Sequence, residues 1–123
     1  MAVSREPTLR VTMLPRDTNA RGTIFGGVIL SHIDLAGSIA VSRLAQRNFV
    51  TRAMREVAFL APVYVGDVVS FYTTVVRQGT TSVTVQVAVE AERNGEPRLS
   101  VAVTEAEVIY VAVDEAGKPV PLR

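Results

Sequence analysis

GVILSHIDLAGSIAVSRLAQR, from Gly27 to Arg47, runs without a proline, and its polar residues Ser31, Asp34, Ser38 and Ser42 return at helical spacing. That predicts one helix of about twenty residues, roughly 30 Å long. Its other faces carry Val28, Ile29, Leu30, Ile33, Leu35, Ile39, Ala40, Val41 and Leu44. A helix that is apolar around most of its circumference is expected to be buried.

Outward from this run the period changes. On the N-terminal side, Thr8 to Leu14 alternates loosely and reads as a short strand stopped by Pro15. The Asp-, Asn-, Gly- and Thr-rich segment from Pro15 to Gly27 reads as loop. On the other side, Phe49 to Leu60 reads as a strand ended by Pro62, Gly66-Asp67 as a turn, and Val68 to Arg77 as a second strand. Gln78-Gly79-Thr80 turns the chain into Thr81 to Arg93, where Val83, Val85, Val87 and Val89 share one face and Ser82, Thr84, Gln86 and Glu90 the other. Asn94-Gly95 is a strong hairpin signal, Leu99 to Val113 gives the last long strand, and Asp114 to Gly117 turns the chain again.

The order β, long α, then four β joined by tight turns predicts an α+β architecture, an antiparallel sheet wrapped around the helix. The 123 residues suit a single domain, 1–123, with a core that needs no disulfide or metal. Four long strands leave two sheet edges open, and 48% of the residues are hydrophobic. Pairing through an edge into a dimer would hide both.

Several function classes are excluded. A net charge of +1 with acids and bases interspersed gives no electrostatic footprint for nucleic acid or an anionic membrane. The longest apolar runs fall short of the roughly 20 residues of a membrane span. With no cysteine, there is no zinc–thiolate site and no thiol nucleophile. One histidine, His32, and no acidic cluster at ligand spacing leave no case for a metal. The segment MAVSREPTLR has charges and a proline where a signal peptide has an apolar stretch, so a cytoplasmic location is expected.

Asp34 is harder to place, because a carboxylate among apolar residues is costly unless it is paired or hydrogen-bonded. Its stripe, with Gly37 and Ser38, either faces solvent or a subunit interface, or lets a ligand or another backbone come close. Gly26-Gly27 opens the helix, where backbone N–H groups and the helix dipole suit negative charge. An oxyanion formed in ester or thioester hydrolysis would be stabilised there, although Gly-Gly also serves as a plain tight turn. Ser31, His32 and Asp34 form no triad, since neighbours on a helix point about 100° apart, and His32 is expected to pack. Arg77, Thr80, Thr81 and Ser82 around Gly79 suit either a hairpin turn or a phosphate or pantetheine contact. Glu56, Asp67, Glu105 and Glu107 show no partner in the sequence.

The motifs are more specific together. Asp17-Thr18-Asn19-Ala20-x-Gly22-x-Ile24-Phe25-Gly26-Gly27, Asp34 seven residues on, FLAPVYVGDVV at Phe59 to Val69, GTTS at Gly79 to Ser82 and YVAVDEAGKPVP at Tyr110 to Pro121 occur in one order. The combination, running from Leu9 to Pro121, resembles the hotdog-fold acyl-CoA thioesterases, and within them the YciA and cytosolic acyl-CoA hydrolase branch. The resemblance implies a curved antiparallel sheet around a central helix and hydrolysis of an acyl-CoA to free acid and CoA, without metal or cofactor. It also implies a homodimer with active sites at its interface, often assembled into a hexamer as a trimer of dimers.

By the same resemblance Asp34 is the catalytic carboxylate, acting as general base or nucleophile. Asn19 of the other subunit would orient the water or the carbonyl, and the Gly27 N–H would bind the oxyanion. Gly22 and Gly26 would shape the loop, and Thr80, Thr81 and Ser82 would lie near bound CoA. A non-catalytic acyl-CoA or pantetheine-binding regulatory module is the alternative that keeps the same site. Gly27 and Asp34 are about 10 Å apart along one helix, so the Asp34 that serves a given Gly27 is expected from the neighbouring subunit.

Overall fold

The computed structural model describes residues 5–94 and 99–123. It contains β1 (Leu9–Thr12), a 3-10 turn (Pro15–Asp17), α1 (Gly26–Leu44), β2 (Asn48–Phe59), β3 (Val68–Gln78), β4 (Ser82–Arg93) and β5 (Leu99–Val113). Every expected element is present, with ends displaced by a few residues. The helix stops at Leu44 rather than near Arg47, because Ala45 turns to extended φ/ψ while its N–H still reaches the Val41 carbonyl. The expected Asn94-Gly95 turn lies partly outside the described residues, but β4 and β5 pair from Arg93 and Leu99 onward.

The five strands form one antiparallel sheet in the order β1-β3-β4-β5-β2, curled around α1. β3, β4 and β5 are neighbours in chain order. β2 crosses instead to the far side and pairs with β5. The valine face of β4 is wholly inside, Val83, Val85 and Val87 at 0% exposure. These meet Ile29, Ile33, Ala36 and Val41 of the helix in one apolar core.

Two expectations need correction. The helix is not buried all round: Ile29, Ile33, Ala36, Gly37 and Val41 are covered, but Leu35 is 49% exposed, since the sheet closes over only one side. By length and composition alone α1 is long and apolar enough to cross a membrane, and in this fold the sheet packs along one side of it. Nor are both edges long and open. The short β1 covers β3, which leaves β2 as the long edge, with Val50, Val57 and Phe59 exposed.

Three irregularities mark the β2–β5–β4 side of the sheet. β2 breaks register between Thr51 and Ala53 and again between Arg55 and Ala58, with Glu56 at a φ of 55°. Across β4 and β5, Val89 pairs with Thr104 but Glu90 with Ala102, so Val103 is an extra residue, a β-bulge.

Candidate active site

Asp34 lies half-buried in the middle of α1, and two side chains from the sheet hold it. Thr51 Oγ1 donates to Asp34 Oδ1 at 2.7 Å. The Tyr110 hydroxyl lies 2.7 Å from the Asp34 carbonyl oxygen and 3.0 Å from the same Oδ1. The β2–β5 register sets Thr51 directly beside Tyr110, and cross-strand partners point to one face, so both reach the same carboxylate. Oδ2 has no hydrogen bond among the described residues.

Gly37 makes this possible. A methyl group there would collide with the Tyr110 hydroxyl and come within 2.9 Å of its ring carbon Cε2. The small residue after Asp34 therefore admits a tyrosine of the same chain, rather than a ligand or a second backbone. Tyr110 is 1% exposed, and burial, then the charge of Asp34, then their hydrogen bond push its phenol well above the ordinary range. It stays a donor at any physiological pH.

The other polar residues of the helix are spent on their own backbone. Ser31, Ser38 and Ser42 donate to the carbonyls of Val28, Leu35 and Ile39, each at 2.7 Å. His32 Nδ1 donates to the Val28 carbonyl at 2.8 Å, and its ring stacks on Phe71 with centroids 5.8 Å apart. It packs, as expected. Among the described residues no group of three or more His, Asp or Glu side chains could hold a metal.

The helix start is built differently. Phe25 is the N-cap and supplies no side-chain bond, which leaves the first-turn N–H groups of Gly26 and Gly27 without a side-chain cap. A side chain on Gly27 would strike the Phe25 ring at 2.6 Å, and one on Gly26 would press Phe59 at 3.3 Å. Beside this end opens a cleft of about 400 Å³ lined by Ile24, Gly26, Ile29, Phe59, Leu60, Ala61, Pro62, Val63 and Thr104. Its walls are apolar apart from the backbone and one hydroxyl.

Of the other expected site residues, Asn19 spends its side chain on its own loop. Its Nδ2 donates to Thr23 Oγ1 at 2.9 Å, and its Oδ1 accepts from the Arg21 and Thr23 N–H groups at 2.8 and 3.3 Å. Gly22, at a φ of 85°, closes that loop with an N–H to the Asn19 carbonyl. Within one chain Asn19 and Asp34 share no hydrogen bond. Thr80 and Thr81 lie in the β3–β4 turn against the C-terminal segment and Ser82 opens β4, Thr80 lining a cleft of about 370 Å³ with Gln78, Gly79, Pro121, Leu122 and Arg123. None of the three hydrogen-bonds to Asp34 in the same chain.

Asp67 and Glu107, which show no partner in the sequence, both have one. Buried Asp67 accepts from Arg93 Nε at 3.1 Å and from the Tyr64 N–H at 2.9 Å, closing the turn before β3. Glu107 pairs with Arg55 across β5 and β2. Sequence reasoning missed Thr51, Tyr110 and Thr104 as site residues. The phase of β5 carries a signal for the last: inward residues fall on Val101 and Val103, then on Thr104, Ala106, Val108 and Tyr110, and such a slip marks a bulge.

A sequence model of the thioesterase superfamily matches residues 21–98. The acyl-CoA thioester hydrolase YciA of Salmonella typhimurium is 42% identical over 119 residues, which cover 95% of this chain and 90% of the relative. A hexameric hotdog-fold thioesterase of Campylobacter jejuni superposes with a TM-score of 0.91 at 45% identity, covering 97% of this chain and 91% of that one. The acyl-CoA hydrolase of Staphylococcus aureus, solved with butyryl-CoA, CoA and CoA disulfide, superposes with a TM-score of 0.84 at 28% identity over 93% of this chain and 69% of its own. Two further structures of that enzyme carry single substitutions to alanine, one at an aspartate and one at a threonine seventeen positions later.

Proposed function

The chain belongs to the thioesterase superfamily, and from that premise we propose that it hydrolyses an acyl-CoA to the free acid and CoA, with Asp34 as the working carboxylate. The observation that carries the reading is the hold on that carboxylate: Thr51 donates to Oδ1 and Tyr110 shares its one proton between Oδ1 and the Asp34 carbonyl, which fixes the group and leaves Oδ2 to act. The two residues substituted in the Staphylococcus aureus enzyme stand at the spacing of Asp34 and Thr51 here.

Oδ2 either takes a proton from water as that water's oxygen bonds the carbonyl carbon, or attacks the carbon itself. In both cases the carbonyl oxygen gathers negative charge, which the uncapped Gly26 and Gly27 N–H groups are suited to hold. Collapse breaks the C–S bond and CoA leaves as a thiolate that takes up the proton drawn from water; where Asp34 itself attacks, water then cleaves the mixed anhydride, returning the carboxylate and releasing the acid. Water and carboxylate suffice for this chemistry, so the reading needs neither metal nor cofactor.

Gly27 and Asp34 of one helix lie about 10 Å apart, too far to act on one carbonyl. The site is therefore read as shared between two chains, the exposed apolar residues of β2 and α1 lying at the interface, and Asn19 of one chain serving Asp34 of the other. Dimers of this kind associating further, as a trimer of dimers, would match the hexameric state named for the Campylobacter jejuni relative.

A thiol-release assay across a panel of acyl-CoAs tests the activity. Wild type should release CoA, insensitive to EDTA, and Asp34→Ala and Asp34→Asn should fall by about 10² or more while remaining folded oligomers. Saturable CoA binding with no thiol released from any chain would favour the regulatory module instead. Mixed oligomers of Asp34→Ala and Asn19→Ala chains should regain activity; none regained would count against a shared site.

A further inference from the structure

We propose that Thr104 is a specificity-determining residue whose hydroxyl binds an oxygen carried on the acyl chain, so that hydroxy- or oxoacyl-CoA is preferred to the plain chain of equal length. The inference rests on the acyl-CoA hydrolase reading and deepens it to a substrate class.

Thr104 is 2% exposed, yet its Oγ1 has no hydrogen-bond partner among the described residues. Leaving a buried hydroxyl unpaired costs free energy. Tyr110, also on the inner face of the sheet, is satisfied by Asp34, and the buried Ser70 on the outer face is satisfied by Arg10 at 2.8 Å. Packing gives no reason for the exception, because valine has the same shape and fills the inner face of β4 opposite.

The sheet is bent to put the residue there. Val103 is the extra residue of the β4–β5 bulge, and the phase slip turns Thr104 inward together with Ala106 and Val108. Bulges re-aim side chains in this way beside functional sites. The result is that Thr104, its hydroxyl buried and unpaired among the described residues, lines a cleft together with Gly26 at the uncapped helix start.

An acyl group with its carbonyl oxygen at Gly26 and Gly27 would run into this cleft against Ile24, Ile29 and Val63, past Thr104. A threonine hydroxyl both donates and accepts, so it suits an oxo or a hydroxy substituent. Discrimination is then asymmetric. A site with a buried hydroxyl waiting for a partner disfavours the analogue that lacks one, more than an apolar wall rejects an added oxygen.

The test compares kcat/KM for butyryl-CoA with that for 2-, 3- and 4-hydroxybutyryl-CoA and 3-oxobutyryl-CoA. Wild type should prefer at least one oxygenated substrate, and Thr104→Val should reduce that preference ratio about tenfold while Thr104→Ser retains it. Denaturation curves check that the variants fold, and Thr104→Ala reads the same ratio should the valine form fail. Equal kcat/KM across all five substrates in wild type, or a ratio unmoved in both Val and Ala variants, overturns the inference and leaves the hydrolase reading standing. No thiol release from any of the five overturns both.

Discussion

Asp34 and the start of its helix lie two turns apart on one element, and they are finished to different degrees. At Asp34 the chain completes its own work: Thr51 and Tyr110 come from two adjacent strands, meet at one oxygen, and Gly37 clears the space they need. At Gly26 the chain leaves things open. Among the described residues no side chain caps the helix and the Thr104 hydroxyl has no partner, and Phe25 and Phe59 are 58% and 55% exposed. A preorganised group can be supplied by one chain, whereas a cleft that must admit a substrate gains by keeping its polar groups unspent until the substrate arrives.

Tyr110→Phe strikes the finished end and should have the largest effect. It removes a donor from both the Asp34 carbonyl and its carboxylate in a nearly inaccessible place, at a cost of about 2–3 kcal/mol in denaturant unfolding. The pH dependence sharpens the point. Burial and Asp34 hold the folded phenol above its ordinary value near 10, so above that pH the unfolded chain loses its proton first. The Tyr110 contribution is therefore complete below about pH 10 and declines as pH rises beyond it, while the Phe variant should lack that alkaline slope. Parallel curves for the two proteins between pH 8 and 11 would mean the hydroxyl is not held as described.

What the sequence made legible follows from range. The helix, the strands and their turns were readable because periodicity and Gly, Pro or Asn punctuation act over a few residues, and Gly26, Gly27 and Asp34 stood out as departures from such patterns. Tyr110 reaches Asp34 from 76 positions away, and no local pattern announces that contact. Thr51 is likewise an ordinary strand threonine until the β2–β5 register places it beside Tyr110. The buried-helix expectation failed for a related reason: an apolar circumference says how much surface needs cover, and one chain's sheet covers only part of it.

Thr51→Val probes the finished end more gently. It deletes one of two donors to Oδ1 and keeps the shape of the side chain, so Tyr110 still holds Asp34 but its carboxylate is less well aimed. A fall of about tenfold in kcat with little change in KM is expected, about 1.4 kcal/mol in the barrier. A rise in KM at constant kcat would place Thr51 with the substrate rather than with Asp34. That outcome would erase the contrast between the two ends.

The smallest effect is expected at Glu56, which borders the open end. It sits in the left-handed region at a φ of 55°, within the second irregularity of β2 and just ahead of Phe59 and Leu60 in the cleft wall. A residue with a Cβ is disfavoured there by about 1 kcal/mol, and glycine relieves this while giving back part of the gain as unfolded-chain entropy. Glu56→Gly should thus gain about 0.5 kcal/mol, read as a higher denaturation midpoint at constant m-value. Strain of this kind persists where the surroundings over-determine it, and here it would hold the bulge that sets Phe59 against Gly26. With the bulge loosened, kcat/KM on acyl-CoA should fall a few-fold although the protein is more stable. A gain in stability with unchanged kcat/KM would show that the cleft wall owes nothing to the bulge, and that the open end is merely unfilled rather than shaped.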